Sequence, residues 1–384
     1  MSPPEKIRIA YIASIDTELA SGPANHIKGA VEAMARSNDV ELWHATSGNP
    51  FKRKANFAFP ESLLPFPAIR GGWRMFELSL VMKLAAEARR FDILYIRTSP
   101  SRVIGRALAH VSAFKVLEMN GLESIGHRGF PALAKAIDLI LVTSEVSKRN
   151  LIARFPELAP KVQAHFQVGV DASLYFPTDQ ADARRALGLR QAGHYLLHTS
   201  GFQPHHDFET MFSAIKRAAV DIADLQLLLV GDGPRRAEIA RLAAEMEMGE
   251  LVRFVGAIPQ LELRHWISAS DACTNPMTRE KLDECGNFNA LKTYEYVACG
   301  TPAIESYTPT HPVPDWARQH LLLVPAGEVA ALADAVRAAV RQKSENREAL
   351  EAARAFVISE FAWDAIAAHS LGRVAEAWRA RQGR

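Results

Sequence analysis

The sequence predicts an α/β protein built from two doubly wound domains, each with a parallel sheet. Short apolar runs of strand length alternate with longer segments of helical periodicity. The alternation stops near Val142 and begins again near Tyr195. The chain has 384 residues, which is too long for one ordinary hydrophobic core. Because such alternation covers both faces of a parallel sheet with helices, we expect two domains of this class.

The first domain begins with residues 7–13, an apolar run of strand length. A helix is predicted over residues 25–36, where four apolar residues recur at helical spacing: Ile27, Ala30, Val31 and Met34. A long amphipathic helix is predicted over residues 73–90. Further strands are predicted at residues 40–44, 92–96, 115–118 and 139–142.

The second domain repeats this pattern. Its strands are predicted at residues 195–199, 225–230, 252–255, 272–275 and 303–305. In an open parallel sheet the ligand lies outside the C-terminal ends of the strands, at the switch point. We therefore expect functional residues in the loops that follow these strands.

Composition narrows the class of protein. Hydrophobic residues make up 48% of the chain and charged residues 23%, as in a soluble globular protein. A formal net charge of +2 gives no global argument for binding nucleic acid or a strongly anionic membrane. No apolar run reaches about 18 residues, and the N-terminus has no signal-peptide pattern. Cys273, Cys285 and Cys299 lack metal-ligand spacing, so we expect reduced, buried thiols in a cytoplasmic protein.

The most informative stretch of the chain is residues 286–304. A loop of small and polar residues runs into a helix, which Gly300-Thr-Pro302 ends before an apolar strand. Unpaired N–H groups and the positive dipole end of a first helical turn can hold an anion. Glu295 lies about one turn into the helix, where a carboxylate can accept hydrogen bonds from sugar hydroxyls. Phosphate and sugar groups side by side indicate a nucleotide-sugar site.

Residues 292–302 read Lys-Thr-Tyr-Glu-Tyr-Val-Ala-Cys-Gly-Thr-Pro. This segment resembles the Lys-x-x-Glu-Tyr-Met-Ala-x-Gly-x-Pro segment of retaining glycosyltransferases of the GT-B fold, sequence family 4. Other segments are similar to the family's in the same order, so that the resemblance covers roughly residues 165–305. They are residues 169–171 with 176–177, 201–211, 227–234, 252–256 and 266–271.

The resemblance implies two facing Rossmann-like domains with a cleft between them. Residues 1–167 would form the acceptor-side domain, completed by a C-terminal helix that crosses back within residues 360–384, and residues 168–359 would bind the nucleotide sugar. It implies a UDP- or GDP-linked donor, no other cofactor, no nucleic acid, and a glycan, lipid-linked or small-molecule acceptor. The sequence has no Asp-x-Asp motif, so no metal is expected. Cell-envelope or exopolysaccharide synthesis, at the inner face of the membrane or free in the cytoplasm, is the expected setting.

By the same resemblance, Glu295 holds the nucleotide ribose, with an exposed helix-surface carboxylate as the alternative. Asn287 stands where the family has the first acid of its Glu-x7-Glu pattern, and Asp283 or Glu284 can replace that charge. Asn287 is nevertheless predicted to contact the transferred sugar. The diphosphate is assigned to the loop and the helix start: Phe288, Asn289, Ala290, Leu291 and Lys292.

Further donor contacts are implied in the loops after two strands of the second domain. His206 replaces the family's diphosphate-binding Lys, while Phe202 replaces its Arg. Gly201 belongs to the same loop, and Ala257 and Ile258 are placed beside the base. A surface pair of histidines is the alternative for His206.

In the first domain, the segment that contains Gly22 resembles the glycine loop that closes over the donor phosphates. Asn120 belongs to a Glu-x-Asn-Gly segment, and the resemblance places it at the reaction centre. Arg97 and His127 are acceptor-pocket candidates with a plain surface role as the alternative. The segment of residues 70–90 offers a peripheral contact with a lipid headgroup or a lipid-linked acceptor, and an amphipathic helix with one core face and one solvated face is the alternative. Its basic and aromatic residues are Arg70, Trp73, Arg74, Lys83, Arg89 and Arg90.

Two other classes of function remain as alternatives to an active transferase. One is a GT-B protein that has lost catalysis and binds nucleotide sugars or acts as a scaffold, because the family's Arg, Lys and first acid are all substituted. The other is a nucleotide-dependent oxidoreductase, which needs a Gly-x-Gly-x-x-Gly turn after the first strand. The chain has Ala13-Ser-Ile-Asp-Thr17 there, so the oxidoreductase is set aside.

Overall fold

The computed structural model describes residues 6–19, 21–47, 57–67, 69, 71–165, 168–288 and 290–383. The chain separates into two compact units. One comprises Met1–Gly169 with Trp363–Arg384, and the other comprises Val170–Ala362. Each unit contains a parallel sheet with helices packed on it, which confirms the predicted fold class of two Rossmann-like domains.

The first unit has seven strands among its described residues, in the order β3-β2-β1-β4-β5-β6-β7. The strands are β1 (Arg8–Asp16), β2 (Asp39–Thr46), β3 (Glu61–Pro65), β4 (Ile93–Arg97), β5 (Phe114–Met119), β6 (Leu139–Val142) and β7 (Val162–Ala164). The helices are α1 (Gly22–Ala35), α2 (Gly72–Glu87), α3 (Arg102–Leu108), α4 (Phe130–Ala136) and α5 (Glu145–Arg154). The central strands are buried on both faces, as their continuous apolar runs require. The switch point lies between β1 and β4.

The second unit has six strands among its described residues, in the order β10-β9-β8-β11-β12-β13. The strands are β8 (His194–Thr199), β9 (Leu225–Val230), β10 (Val252–Gly256), β11 (Ala272–Asn275), β12 (Ala303–Tyr307) and β13 (Leu322–Pro325). The helices are α6 (Gln180–Ala186), α7 (Phe208–Ala218), α8 (Arg236–Glu245), α9 (Gln260–Ala269), α10 (Arg279–Cys285), α11 (Leu291–Ala298), α12 (Asp315–His320), α13 (Val329–Glu345) and α14 (Arg347–Phe361). Here the switch point lies between β8 and β11.

The C-terminal segment forms two helices, and the crossing helix expected within residues 360–384 is the second of them. Helix α14 ends at Phe361, and Ala362 is extended, with φ −64° and ψ 148°. Helix α15 (Trp363–Gln382) then belongs to the first unit, where it packs on α1. The returning helix is therefore present, and it begins at Trp363.

All three cysteines are buried and free, in agreement with the sequence. Within the described part of the chain, no helix combines the length and the apolar character needed to cross a bilayer.

Candidate functional site

Polar side chains are buried where three neighbouring strands of the second sheet end. Strand β8 contributes His198, β11 contributes Asn275, and β12 contributes Glu305. The first turns of α11 lie beside them, because β12 and β11 both pack against this helix. We call the whole group the strand-end cluster, and its members are His198, His206, Asn275, Lys292, Thr293, Glu295 and Glu305.

Glu305 ties α11 to the sheet. Its Oε1 accepts a 2.8 Å hydrogen bond from Asn275 Nδ2, and its Oε2 accepts a short one from Thr293 Oγ1. Burial removes water from the carboxylate and raises its pKa to about 7, although the two hydrogen bonds and Lys292 oppose the rise. The sequence patterns did not single out this residue. A charged side chain inside the apolar strand Ala303-Ile-Glu305 was the available signal.

Lys292 is partly exposed at the second position of α11, and its Nζ lies 3.4 Å from His206 Nε2. Loss of hydration lowers the pKa of Lys292 to about 7, while Glu305 and Glu295 act in the opposite direction. A lysine of this kind holds its proton weakly until an anion is placed beside it.

Glu295 is only 5% exposed, so it is not the helix-surface carboxylate of the alternative interpretation. Burial raises its pKa to about 7, and Tyr175 and Lys292 partly offset that effect. The Tyr175 hydroxyl lies near this carboxylate but makes no hydrogen bond of normal geometry with a described residue. Glu295, Lys292 and His206, all predicted from the sequence, are thus brought into one neighbourhood.

His206 lies in the loop after β8, where an isolated bridge pairs it with Met277. It is buried, in contrast to the surface pair of histidines proposed as the alternative. Burial, followed by the charge of Lys292, lowers its pKa well below the usual value. Its ring lies 5.1 Å from that of His198. Among the described residues, no partner satisfies His206 Nδ1 or His198 Nε2, which is costly for buried nitrogens.

The side-chain amide of Asn287 forms hydrogen bonds to backbone groups instead of pointing into an open site. Its Oδ1 accepts from Thr308 N at 2.9 Å, and its Nδ2 donates to Thr308 O at 3.2 Å and His311 O at 3.4 Å. The amide therefore fastens the loop after β12. Asp283 accepts from two threonine hydroxyls of that loop, and Glu284 pairs with Lys281 at 3.1 Å.

The residue before α11 leaves the start of this helix without a side-chain cap. Phe288 has a left-handed backbone, with φ +64°, and its ring is buried 5.7 Å from Trp316. Ala290 is the N-cap of α11 and supplies no side-chain cap, so the amides of Leu291 and Lys292 begin an uncapped first turn. Asn289 lies outside the described residues.

The other predicted donor residues lie in loops after β8 and β10. Gly201 and Ala257 are exposed, and Ile258 is partly exposed. Phe202 is fully buried and packs on Phe208, so the position of the family's Arg faces the core and carries no charge.

The first unit has its own buried polar group at its strand ends. Glu118 Oε1 lies 2.8 Å from His26 Nε2 and 3.3 Å from Arg97 Nη1. Burial alone raises the pKa of Glu118, but His26 and Arg97 outweigh it and hold the pKa at about 2. Arg97 is thus part of a buried network that the sequence did not reveal. His26 belongs to the same helix start as Gly22, at the N-terminus of α1.

The remaining predicted residues of the first unit are more exposed. Gly22 has no described atom within 4 Å of the position of a Cβ, so packing does not require glycine there. Asn120 is exposed and directly follows β5. His127 is exposed, and its Nδ1 accepts from Gly129 N at 3.0 Å, which makes it part of a turn.

Comparison with known families places the strand-end cluster in context. Residues 193–342 match the sequence model of the family described as glycosyl transferases group 1. This match lies within the second unit and covers less than half of the chain. The matched residues include every member of the cluster and begin one residue before β8.

Two curated enzymes are similar to parts of this chain. D-inositol 3-phosphate glycosyltransferase from Frankia alni is 28% identical over 236 residues, which are 57% of this chain and 53% of that protein. N-acetyl-alpha-D-glucosaminyl L-malate synthase from Bacillus anthracis is 25% identical over 285 residues, covering 69% of this chain and 70% of that one. The chain spans about half the length of the first of these relatives.

Solved structures extend the similarity to nearly the whole chain. Sucrose-phosphate synthase from Thermosynechococcus elongatus has a TM-score of 0.75 and 22% identity, over 98% of this chain and 100% of that one. The Anabaena protein HepE, solved in complex with UDP and glucose, has a TM-score of 0.72 and 15% identity, over 96% and 99%. At these identities the likeness concerns the fold, and it confirms the GT-B class.

Proposed function

We propose that this chain is a retaining glycosyltransferase that moves a sugar from a nucleoside diphosphate sugar to an acceptor hydroxyl. The observation that carries the proposal is the position of Lys292, His206 and Glu295 together beside the uncapped start of α11. A cation, an imidazole and free amides suit a diphosphate, and a carboxylate one turn along suits ribose hydroxyls.

The chemistry follows from the charges. In the transfer, the bond between the anomeric carbon and the phosphate oxygen breaks, and the acceptor oxygen forms a bond to the same carbon. The acceptor proton passes to an oxygen of the leaving phosphate. Lys292 and His206 would stabilise the negative charge that develops on this leaving group, because an adjacent anion favours the protonated form of both. We infer retention of the anomeric configuration by this front-face route from the resemblance to family 4. Membership of its Lys-x-x-Glu-Tyr subgroup is part of the same proposal.

The acceptor and the setting are proposed more broadly. The curated relatives carry names of small acceptors, inositol 3-phosphate and malate, and one structural relative is a lipopolysaccharide galactosyltransferase. These names support a polar acceptor, either a small molecule or a growing glycan. A role in cell-envelope or exopolysaccharide synthesis belongs to the same proposal. UDP as the donor nucleotide has support from the HepE complexes with UDP and UDP-glucose.

Donor binding is tested by thermal shift with UDP, GDP and ADP. We expect one nucleoside diphosphate to raise the Tm of the wild type and Glu295→Gln to lose most of that rise. Glu351→Gln is the matched control, because Glu351 is an exposed carboxylate on α14 of the same unit, and it should keep the full shift. An unchanged shift in folded Glu295→Gln would remove Glu295 from the site.

Turnover separates the proposal from a degenerate binding protein. Release of nucleoside diphosphate from the matching nucleotide sugar is measured with and without EDTA. We expect release in both conditions. Binding without release would favour loss of catalysis, and release that stops with EDTA would overturn metal independence.

A further inference from the structure

Exposed apolar side chains are concentrated in one part of the first unit. Among the described residues, eight large hydrophobic side chains are exposed, and five of them lie on or beside α2 and α3. Their exposed fractions are Ile69 66%, Met75 45%, Leu78 62%, Met82 63% and Val103 49%. The other three are dispersed along the chain at Leu19, Val220 and Leu261. Single exposed hydrophobes are ordinary, whereas a group of this kind indicates an interaction surface.

Helix α2 has two apolar faces instead of one. Phe76, Leu80 and Leu84 are buried in the core of the first unit. Met75, Leu78 and Met82 follow at spacings of three and four residues, so they share a second face that points to solvent. Helix α3 packs beside α2, and its exposed residue Val103 adds to the same side of the unit.

The exposed charged side chains on α2, directly after it and on α3 are all basic. Exposed arginines occur at both ends of α2 and on α3: Arg74, Arg89, Arg90, Arg102 and Arg106. No exposed position of α2 among the described residues carries a carboxylate. Its two glutamates are partly buried and engaged, Glu77 with Ser101 Oγ and Glu87 with Lys83 and Arg90. Arg74 and Arg89 form no ion pair with any described residue.

We propose that this basic apolar face, defined by Met75, Leu78, Met82, Val103 and the five arginines, docks the first unit on an anionic lipid bilayer. A 16-residue helix lying in the membrane plane can bury its apolar face among the acyl chains, while Arg74 on the helix and arginines of the neighbouring segments pair with lipid phosphates. The proposal does not depend on the transferase assignment, because no residue of the face belongs to the strand-end cluster.

Charge favours a bilayer over a second copy of the chain. A two-fold symmetric contact through this face would bring arginines of one copy against arginines of the other, with no exposed carboxylate of α2 to compensate. An anionic membrane instead supplies many phosphates next to an apolar layer. The net charge of only +2 means that the attraction is local to this face.

The full chain is tested by co-sedimentation with vesicles of phosphatidylcholine alone and of phosphatidylcholine mixed equally with phosphatidylglycerol. We expect binding to the mixed vesicles, release by high salt, and little binding to phosphatidylcholine. The double variant Leu78→Ser, Met82→Ser should bind about tenfold or more weakly. Val220→Ser and Leu261→Ser remove apolar groups elsewhere that are at least as exposed, and both variants should bind like the wild type.

A second set of variants tests how much the arginines contribute to vesicle binding. Arg74→Gln with Arg89→Gln should weaken binding to the mixed vesicles by roughly tenfold or more. Arg347→Gln, which changes an exposed arginine on α14, should not. All variants should keep the circular dichroism spectrum and the Tm of the wild type, which shows that they are folded. Unchanged vesicle binding in both double variants would overturn the proposal. A second result would also overturn it. In that case the wild type does not bind vesicles, light scattering shows that it is a dimer, and the double variant Leu78→Ser, Met82→Ser is a monomer.

Discussion

Lys292 is the residue whose charge depends most directly on a ligand. Its Nζ lies 3.4 Å from His206 Nε2, and loss of hydration lowers its pKa to about 7 even though two glutamates act to raise it. A bound diphosphate would add negative charge and raise that pKa again. Protonation and binding are therefore linked, and the sign follows from the direction of the shift.

We predict that affinity for the nucleoside diphosphate falls as the pH rises from about 7 to 8.5. The free lysine loses its proton over this window whereas the bound one keeps it, so binding must take up a proton. The loss should be roughly tenfold, because binding takes up one proton and the protonated fraction of the free lysine falls about tenfold over this window. The nucleotide's own phosphate is already ionised above a pKa of about 6, so it adds little to the change. Calorimetric titration at several pH values measures it.

Lys292→Gln should bind more weakly and with a flatter pH profile, while Lys148→Gln, in the first unit, should behave like the wild type. A wild-type affinity that stays constant over this window would contradict the assignment of Lys292 to the diphosphate.

At the scale of elements, the loops after β8 and β9 touch through their backbones. Gly231 has φ +124°, and a Cβ built there would lie 1.9 Å from Ser200 O. A Cβ at Gly233 would lie 2.0 Å from Gly201 O. The Gly-Asp-Gly-Pro turn thus supports the loop that carries Gly201 and His206, and glycine is required there by close backbone contact.

We predict that Gly231→Ala destabilises the second unit by about 2–4 kcal/mol, because the backbone is left-handed and the added carbon meets a carbonyl oxygen. Gly372→Ala is the control. Gly372 is exposed in α15 with no atom within 4 Å, so alanine should stabilise by about 0.5–1 kcal/mol. Urea unfolding followed by circular dichroism compares them. Equal stability of Gly231→Ala and the wild type would show that the two loops can separate without cost.

At the scale of the whole molecule, residues from both ends of the chain form one unit. Trp363, the first residue of α15, lies where Gly29 and Gly169 leave room, and Cβ atoms there would fall 2.1 Å and 2.5 Å from its ring. The same ring meets His26 edge to face at 5.0 Å. The C-terminal helix is therefore part of the core packing of the first unit.

We predict that Trp363→Ala destabilises the first unit by about 3–5 kcal/mol through the cavity that it leaves. Trp378→Ala should cost clearly less, because Trp378 is partly exposed on the same helix. Differential scanning calorimetry distinguishes the two variants. A similar loss of stability in both would mean that the packing of Trp363 on the two glycines contributes little.

Local sequence patterns predicted the α/β class, most of the strands and the segment that contains Lys292 and Glu295. Alternating apolar runs and helix-ending Gly-Thr-Pro are local signals, so they can be read without a structure. The short edge strands β3, β7 and β13 were missed, since few residues carry their pattern. The resemblance also indicated the returning helix, although its start at Trp363 came from the structure.

Tertiary structure alone decided how the side chains are used. Asn287 fastens a backbone loop, Glu305 holds the start of α11, and Glu118 joins His26 and Arg97 in the first unit. Each of these contacts joins residues far apart in sequence, where periodicity carries no information. The exposed second face of α2 is of the same kind, because burial depends on what packs on a helix as well as on its own pattern.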